Sequence, residues 1–156
     1  MPVPRSALAA VAAGGVLGAE ARYGLTLALP EHAGRFPWST LLINLTGSLL
    51  IGVLMAWLGR QPVPHPLLRL FLGVGILGGY TTFSTFAVDV QRLLLAHRPL
   101  AALGYLAATV LGCAAAVWLA TAVSSAAGGR PAADRAWPAE GEPARYQAEP
   151  GGVAER

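Results

Sequence analysis

Hydrophobic residues run along this chain in four long blocks, each closed by a short polar or proline-bearing break. The blocks cover about Ser6–Leu29, Trp38–Leu58, Leu67–Leu95 and Leu100–Val123. Roughly 20 helical residues cross a bilayer's hydrocarbon, so the pattern predicts an all-α membrane protein with four transmembrane helices. Pro30–Pro37, Gly59–Pro66 and His97-Arg98-Pro99 are the predicted connections. Trp38 and Trp57 bracket the second block. They stand about 28 Å apart at about 1.5 Å per residue, matching a tryptophan at each membrane interface.

The third block is too long for one straight crossing, about 43 Å against roughly 30 Å of hydrocarbon. Within it lies Gly73-Val74-Gly75-Ile76-Leu77-Gly78-Gly79-Tyr80-Thr81-Thr82-Phe83-Ser84-Thr85-Phe86. Glycine weakens a helix by about 1 kcal/mol relative to alanine. The glycines therefore predict a third helix broken mid-span. Main-chain groups freed at membrane depth need protein, water or an ion as partner, so the break points to ion binding or passage. Past it, Thr81, Thr82, Ser84 and Thr85 can cap a new helix start and offer hydroxyl donors. Phe83 and Phe86 share a face, and their ring edges are weakly positive.

Polar residues inside the other blocks fall at helical spacing. Thr40, Asn44, Ser48 and Gly52 make one stripe on the second. Asn44 lies about 9 Å inside Trp38, where an amide needs partners and carries N–H donors; interhelical bonding is its simpler use. Gly14, Gly18 and Arg22 share a face of the first block, a small-residue strip for close packing ending in a charge. Glu20 points elsewhere. Tyr105, Thr109, Gly112 and Cys113 share a face of the fourth, where back-bonding to the helix competes with a hydroxyl track.

Composition narrows the class. The chain is 54% hydrophobic and only 12% charged, with a net charge of +3, against about a quarter charged in soluble domains. No arginine cluster or aromatic-basic face supports a nucleic-acid partner. The single Cys113 permits no intrachain disulfide. From 124 to 156 the sequence turns to Ala, Gly, Pro and mixed charge, which predicts a disordered polar tail after a membrane domain at 1–123. Arg5, Arg60, Arg69, Arg130 and Arg135 fall on one side and Arg35, Arg92 and Arg98 on the other. So weak a bias allows insertion both ways, and four short helices call for an oligomer. In an inverted pair the break would meet its copy near the midplane.

Three stretches carry a resemblance: GGVLGAEARYG at 14–24, INLTGSLLIG at 43–52 and GILGGYTTFSTF at 75–86. With the four spans, they resemble the Fluc/CrcB family of small fluoride channels over nearly everything before the tail. The resemblance implies an antiparallel, dual-topology homodimer, or a pairing with a paralogous partner, in the cell inner (plasma) membrane. It implies multi-pass insertion and passive fluoride export that lowers cytoplasmic fluoride toxicity, with no reaction catalysed. It implies a structural Na+, not transported, on the carbonyls of Gly78 and Thr81 of both subunits. Asn44, Phe83 and Phe86 match the fluoride path, with Thr82 and Ser84 among its hydroxyls; Tyr105 and Thr109 match a hydroxyl track, and Arg22 a vestibule residue that attracts anions. Glu20 stands where the family pattern expects a neutral residue. It motivates the alternative, a proton-coupled exporter like the small multidrug transporters. A non-transporting membrane scaffold is the third class, in which the hydroxyl stripes only join helices.

Overall fold

The structure, a computed structural model, describes residues 4–30, 35–61 and 65–126. Its elements are α1 (Arg5–Ala28), α2 (Trp38–Leu58), α3 (Pro66–Arg69), a π-helix (Leu70–Leu77), α4 (Gly78–Tyr80), α5 (Phe83–Leu95) and α6 (Pro99–Ala126). Among the described residues there is no strand. Three stretches are long and apolar enough to cross a membrane: Trp38–Leu58, Pro66–Leu95 and Pro99–Ala126. α1 has the length, at 24 residues, but its Glu20 and Arg22 and its many alanines and glycines keep it less apolar. The expected polar tail lies outside the described residues beyond Ala126, and the last helix runs past Val123 to that residue.

α1 packs along the π-helix and α4, α2 packs along α6, and α5 closes on α6. The first contact is main chain on main chain. A Cβ built on Gly75 would stand 2.8 Å from Gly14 Cα and 3.0 Å from the Val11 carbonyl oxygen, and one on Gly18 would stand 2.8 Å from the Tyr80 nitrogen. The glycines of the third block thus have a different use from the one expected of them. Gly73 and Gly75 lie within the π-helix, and Gly78 and Gly79 within α4. Gly75 and Gly79 admit α1, while Gly73 lies against Leu54 and Met55 of α2 and Gly78 is open. π-Helical winding usually lasts a single turn; here it runs for 8 residues.

The main chain leaves helical geometry at the threonines. Thr81 (φ −75°, ψ 156°) and Thr82 (φ −147°, ψ 125°) are extended, and α5 starts at Phe83. Gly47 of α2 leaves the space for this: a Cβ there would collide with Thr81 Cγ2 and stand 3.3 Å from Tyr80 Cδ1.

α5 turns into α6 through a tight reversal. His97 takes a left-handed conformation (φ 55°). Its N–H donates to the Leu94 carbonyl at 3.0 Å, and the Arg98 N–H donates to the Leu93 carbonyl at 3.0 Å. These two bonds satisfy carbonyls at the end of α5. Pro99 then opens α6, where its missing N–H costs nothing.

The buried apolar cluster is Leu41, Phe86, Leu93, Ala102 and Tyr105, with Phe36, Leu45, Val90 and Ala101 packed on it. Large apolar side chains cover much of the outside, Leu111 and Trp118 among them. Apolar exposure on this scale is unusual for a soluble monomer and suits contact with lipid or a partner.

Candidate functional site

The polar stripe of α2 reaches several elements. Thr40 is buried and its hydroxyl donates to Asp89 Oδ2 at 2.8 Å. Asn44 meets the extended threonines. Its Nδ2 donates to the Thr82 carbonyl at 3.0 Å, and its Oδ1 accepts the Thr82 N–H at 3.0 Å. Ser48 is half-buried beside a groove, and Gly52 packs against Ala120 of α6.

The Asn44 amide therefore replaces a strand partner for one residue of isolated extended chain. One of its two Nδ2 hydrogens is committed to main chain, and one remains. Of the two uses expected of this amide, a donor to an anion and a bond between helices, the second is present, and one N–H is left over for the first.

Thr82 is also the N-cap of α5. Its Oγ1 accepts the Thr85 N–H at 3.2 Å and donates to Thr85 Oγ1 at 3.0 Å. Ser84 Oγ lies 3.3 Å away. Since the single Thr82 hydroxyl hydrogen goes to Thr85, Ser84 is the donor in that pair. The Thr85 hydroxyl keeps its own hydrogen, and Thr85 is exposed. Thr82→Val is expected to remove the cap, lowering stability by about 1 kcal/mol, while Thr82→Ser keeps it. Unfolding midpoints of the two variants in detergent check this.

These bonds have a consequence for the carbonyls. In a continuous helix the Gly78 carbonyl would accept the Thr82 N–H, and the Thr81 carbonyl would accept the Thr85 N–H. Here the first N–H goes to Asn44 Oδ1 and the second to Thr82 Oγ1. Gly78 is exposed on the surface of the protomer, and a Cβ built on it would meet nothing closer than the Gly73 carbonyl oxygen at 4.0 Å. The Thr81 hydroxyl is turned back, donating to the Leu77 carbonyl at 3.0 Å. So the two carbonyls named as cation ligands are among those that lose their helical donors at the break. Carbonyl oxygens are suitable ligands for a hard cation.

Beside this crossing runs a groove of about 310 Å³, lined by Asn44, Ser48, Ile51, Thr81, Thr82, Phe83, Phe86, Thr109, Val110 and Cys113. It gathers Asn44, Thr82, Phe83, Phe86 and Thr109 from three helices and the extended link. The two phenylalanines stand 5.8 Å apart at 49°. They differ sharply in exposure: Phe86 is 8% exposed and Phe83 80%. Phe86 is fixed by Tyr105, 5.3 Å away, and Phe36 meets Tyr105 edge-on at 5.5 Å. Phe83 has its other side open to whatever lies outside the protomer.

The other expected site residues stand in different relations to the groove. Tyr105 is fully buried behind Phe86. The Thr109 hydroxyl donates to the Tyr105 carbonyl at 2.8 Å, so it lines the groove with an oxygen whose hydrogen is already used. Ser84 is exposed and stands just outside the lining. Arg22 is half-buried on α1 and is not among the lining residues. Glu20 is exposed and also absent from the lining.

Asp89 was not singled out from the sequence. It is buried at 3% exposure on α5, bonded by Thr40 and paired with Arg92 Nη1 at 3.3 Å. The rule that drew attention to Arg22, that an ionisable side chain within a span is costly, points equally to Asp89. Arg92 is 65% exposed on its side chain, so solvent weakens its share of the pair. Burial makes the Thr40 hydroxyl the better-defined partner.

A family described as CrcB-like protein, Camphor Resistance (CrcB), matches residues 9–121. A fluoride-specific ion channel FluC 2 of Thermobifida fusca is 56% identical over 110 residues, covering 70% of this chain and 82% of that relative. A fluoride-specific ion channel FluC 2 of Nocardia farcinica is 47% identical over 120 residues, covering 77% and 86%. A fluoride-specific ion channel FluC of Idiomarina loihiensis is 46% identical over 111 residues, covering 70% and 85%.

Proposed function

This chain belongs to the CrcB family, and we propose from that premise that it is a fluoride-selective ion channel carrying fluoride passively out of the cytoplasm. It is a multi-pass membrane protein and a channel rather than an enzyme. The observation that carries the reading is that the Thr82 and Thr85 N–H groups are turned away from the Gly78 and Thr81 carbonyls, with Gly78 itself exposed. An unpaired backbone group in hydrocarbon costs several kcal/mol. The protomer diverts both helical donors and leaves Gly78 uncovered, so a partner and an ion outside the protomer account for the arrangement.

On this reading α1 supplies a fourth crossing, and two copies assemble antiparallel in the inner membrane. Gly78 and Thr81 of each copy hold a structural Na+ through their carbonyls. The ion supplies fixed positive charge at the crossing and pins the extended link; it is not conducted. Each exposed Phe83 turns its ring toward the other copy's groove. Fluoride passes along Asn44, Phe83 and Phe86, meeting the remaining Asn44 N–H, the Thr85 hydroxyl and the positive ring edges, with the Thr82 and Ser84 hydroxyls bonded in a chain that orients Thr85. Arg22 attracts anions toward the mouth. Few donors in a narrow path suit a small halide, and a rigid crossing keeps the width fixed. The exporter alternative loses support, because the relatives are named fluoride-specific ion channels and Glu20 is not among the residues lining the groove. The scaffold alternative gives no reason for the Thr82 N–H to be diverted from the Gly78 carbonyl.

Fluoride-electrode efflux from proteoliposomes, with chloride as control, tests the reading. Wild type is expected to release fluoride and retain chloride. Phe83→Ile removes an exposed ring without touching the protomer core, so efflux is expected to fall at least tenfold while the purified assembly keeps its size. Equal release of both halides by the wild type would overturn the proposal.

A further inference from the structure

A second cavity lies at the opposite side of the protomer from the aromatic cluster, where α2 ends and α3 begins. It is lined by Met55, Leu58, Gly59, Pro66, Arg69, Leu70 and Val74, with a volume of about 790 Å³. Nothing in the channel reading uses it. Its polarity is graded. Gly59, Pro66 and Arg69 form one end, at the level of the exposed Trp57 that closes α2. Met55, Leu70 and Val74 carry the groove onward into the apolar part of the span, roughly 10 Å further along the helix.

Arg69 is exposed and has no carboxylate partner among the described residues, where the only salt bridge joins Arg92 to Asp89. The end of α2 opposes an anion only with the partial charge of a helix terminus, about half an elementary charge. The full charge on Arg69 outweighs it, and the exposed Arg60 follows Gly59 directly. A tryptophan at headgroup depth, an unpaired guanidinium beside it and an apolar channel below make the profile of a phospholipid: anionic head, then acyl chain.

We infer that this groove is a binding site for one anionic phospholipid, its phosphate on Arg69 and an acyl chain against Leu58, Leu70, Met55 and Val74. The guanidinium takes phosphate oxygens in a two-pronged geometry that suits arginine. The zwitterionic headgroup of phosphatidylcholine adds a positive choline beside Arg69 and is held less well. The site is independent of what the protein conducts.

Native mass spectrometry of the full chain in detergent tests it, with palmitoyl-oleoyl phosphatidylglycerol and the matched phosphatidylcholine as probes. Wild type is expected to retain phosphatidylglycerol about fivefold better, the effect of one basic side chain near a membrane surface. Arg69→Gln removes the preference, and Arg69→Lys keeps most of it, which separates loss of charge from loss of fold. Val74→Phe fills the apolar end and weakens both lipids while leaving their ratio unchanged. Glycerol 3-phosphate, the headgroup without chains, does not compete. Equal retention of the two lipids by wild type would overturn the inference, as would an unchanged preference in Arg69→Gln. So would competition by glycerol 3-phosphate, which marks a free phosphate site, or lipid carried by monomers alone, which marks a face covered by a second copy.

Discussion

Asn44→Asp is expected to reduce fluoride efflux to the background of empty liposomes. The change is one atom in size, and its cost lies in what that atom does. Nδ2 donates to the Thr82 carbonyl at 3.0 Å while Oδ1 accepts from the Thr82 N–H at 3.0 Å. A carboxylate keeps the second bond and loses the first. It then sets an oxygen against the Thr82 carbonyl, leaving a buried acceptor facing another acceptor. Each buried polar group left unpaired costs about 1–3 kcal/mol. The variant also places negative charge, in a side chain only 8% exposed, on the wall of the groove an anion must use. Both effects act in the same direction on conduction. Ser48→Ala, at another lining position, is expected to change efflux less than threefold, so the comparison isolates the grip on Thr82. Efflux near the wild-type rate in Asn44→Asp would show that the link is held by something other than this amide.

Gly18→Val is expected to abolish recovery of folded protein. Overfilling a core usually costs about 1–3 kcal/mol because side chains can move aside. At Gly18 they cannot help, since a Cβ would collide with the Ile76 carbonyl oxygen and stand 2.8 Å from the Tyr80 nitrogen, both main chain. Relief requires α1 to withdraw from the π-helix and α4, and α4 carries Gly78. Gly24→Val is the control on the same helix: a Cβ there meets nothing within 4 Å. Size-exclusion profiles of the two variants after detergent extraction make the measurement. A monodisperse Gly18→Val peak at the wild-type position would show that the close approach of main chains is dispensable.

Helix positions were largely legible because bilayer crossing imposes a simple length rule. α2 runs Trp38–Leu58, the expected span, and the outer ends of the other long helices fall within a few residues of expectation. The groove was legible through spacing. Asn44 and Ser48 on one stripe, and Phe83 and Phe86 on one face, line it together. What spacing does not carry is the direction of each hydroxyl and amide. The Asn44 amide could have faced an ion; it faces main chain, because Thr82 is extended there and needs a partner. Thr109 presents a used hydrogen for a related reason, since a threonine on a regular helix finds the carbonyl of the preceding turn.

Propensity alone did not reveal a second use of the third-block glycines. Low helix propensity is a weak prior; at Gly75 and Gly79 the absent side chains make room for α1, and the main chain leaves the helix just beyond, at Thr81 and Thr82. The Thr40–Asp89 bond joins residues 49 positions apart. No periodicity within one helix reveals it, although a lone carboxylate in an apolar block is itself a signal.

The reversal between α5 and α6 has a mechanical meaning. His97 and its two main-chain bonds make the corner between α5 and α6 tight, and the Phe86 and Tyr105 rings brace the two helices against each other beyond it. Since α2 is seated along α6 and touches α5 only slightly, the seam between α2 and α5 is where the passage has least packing to hold its width.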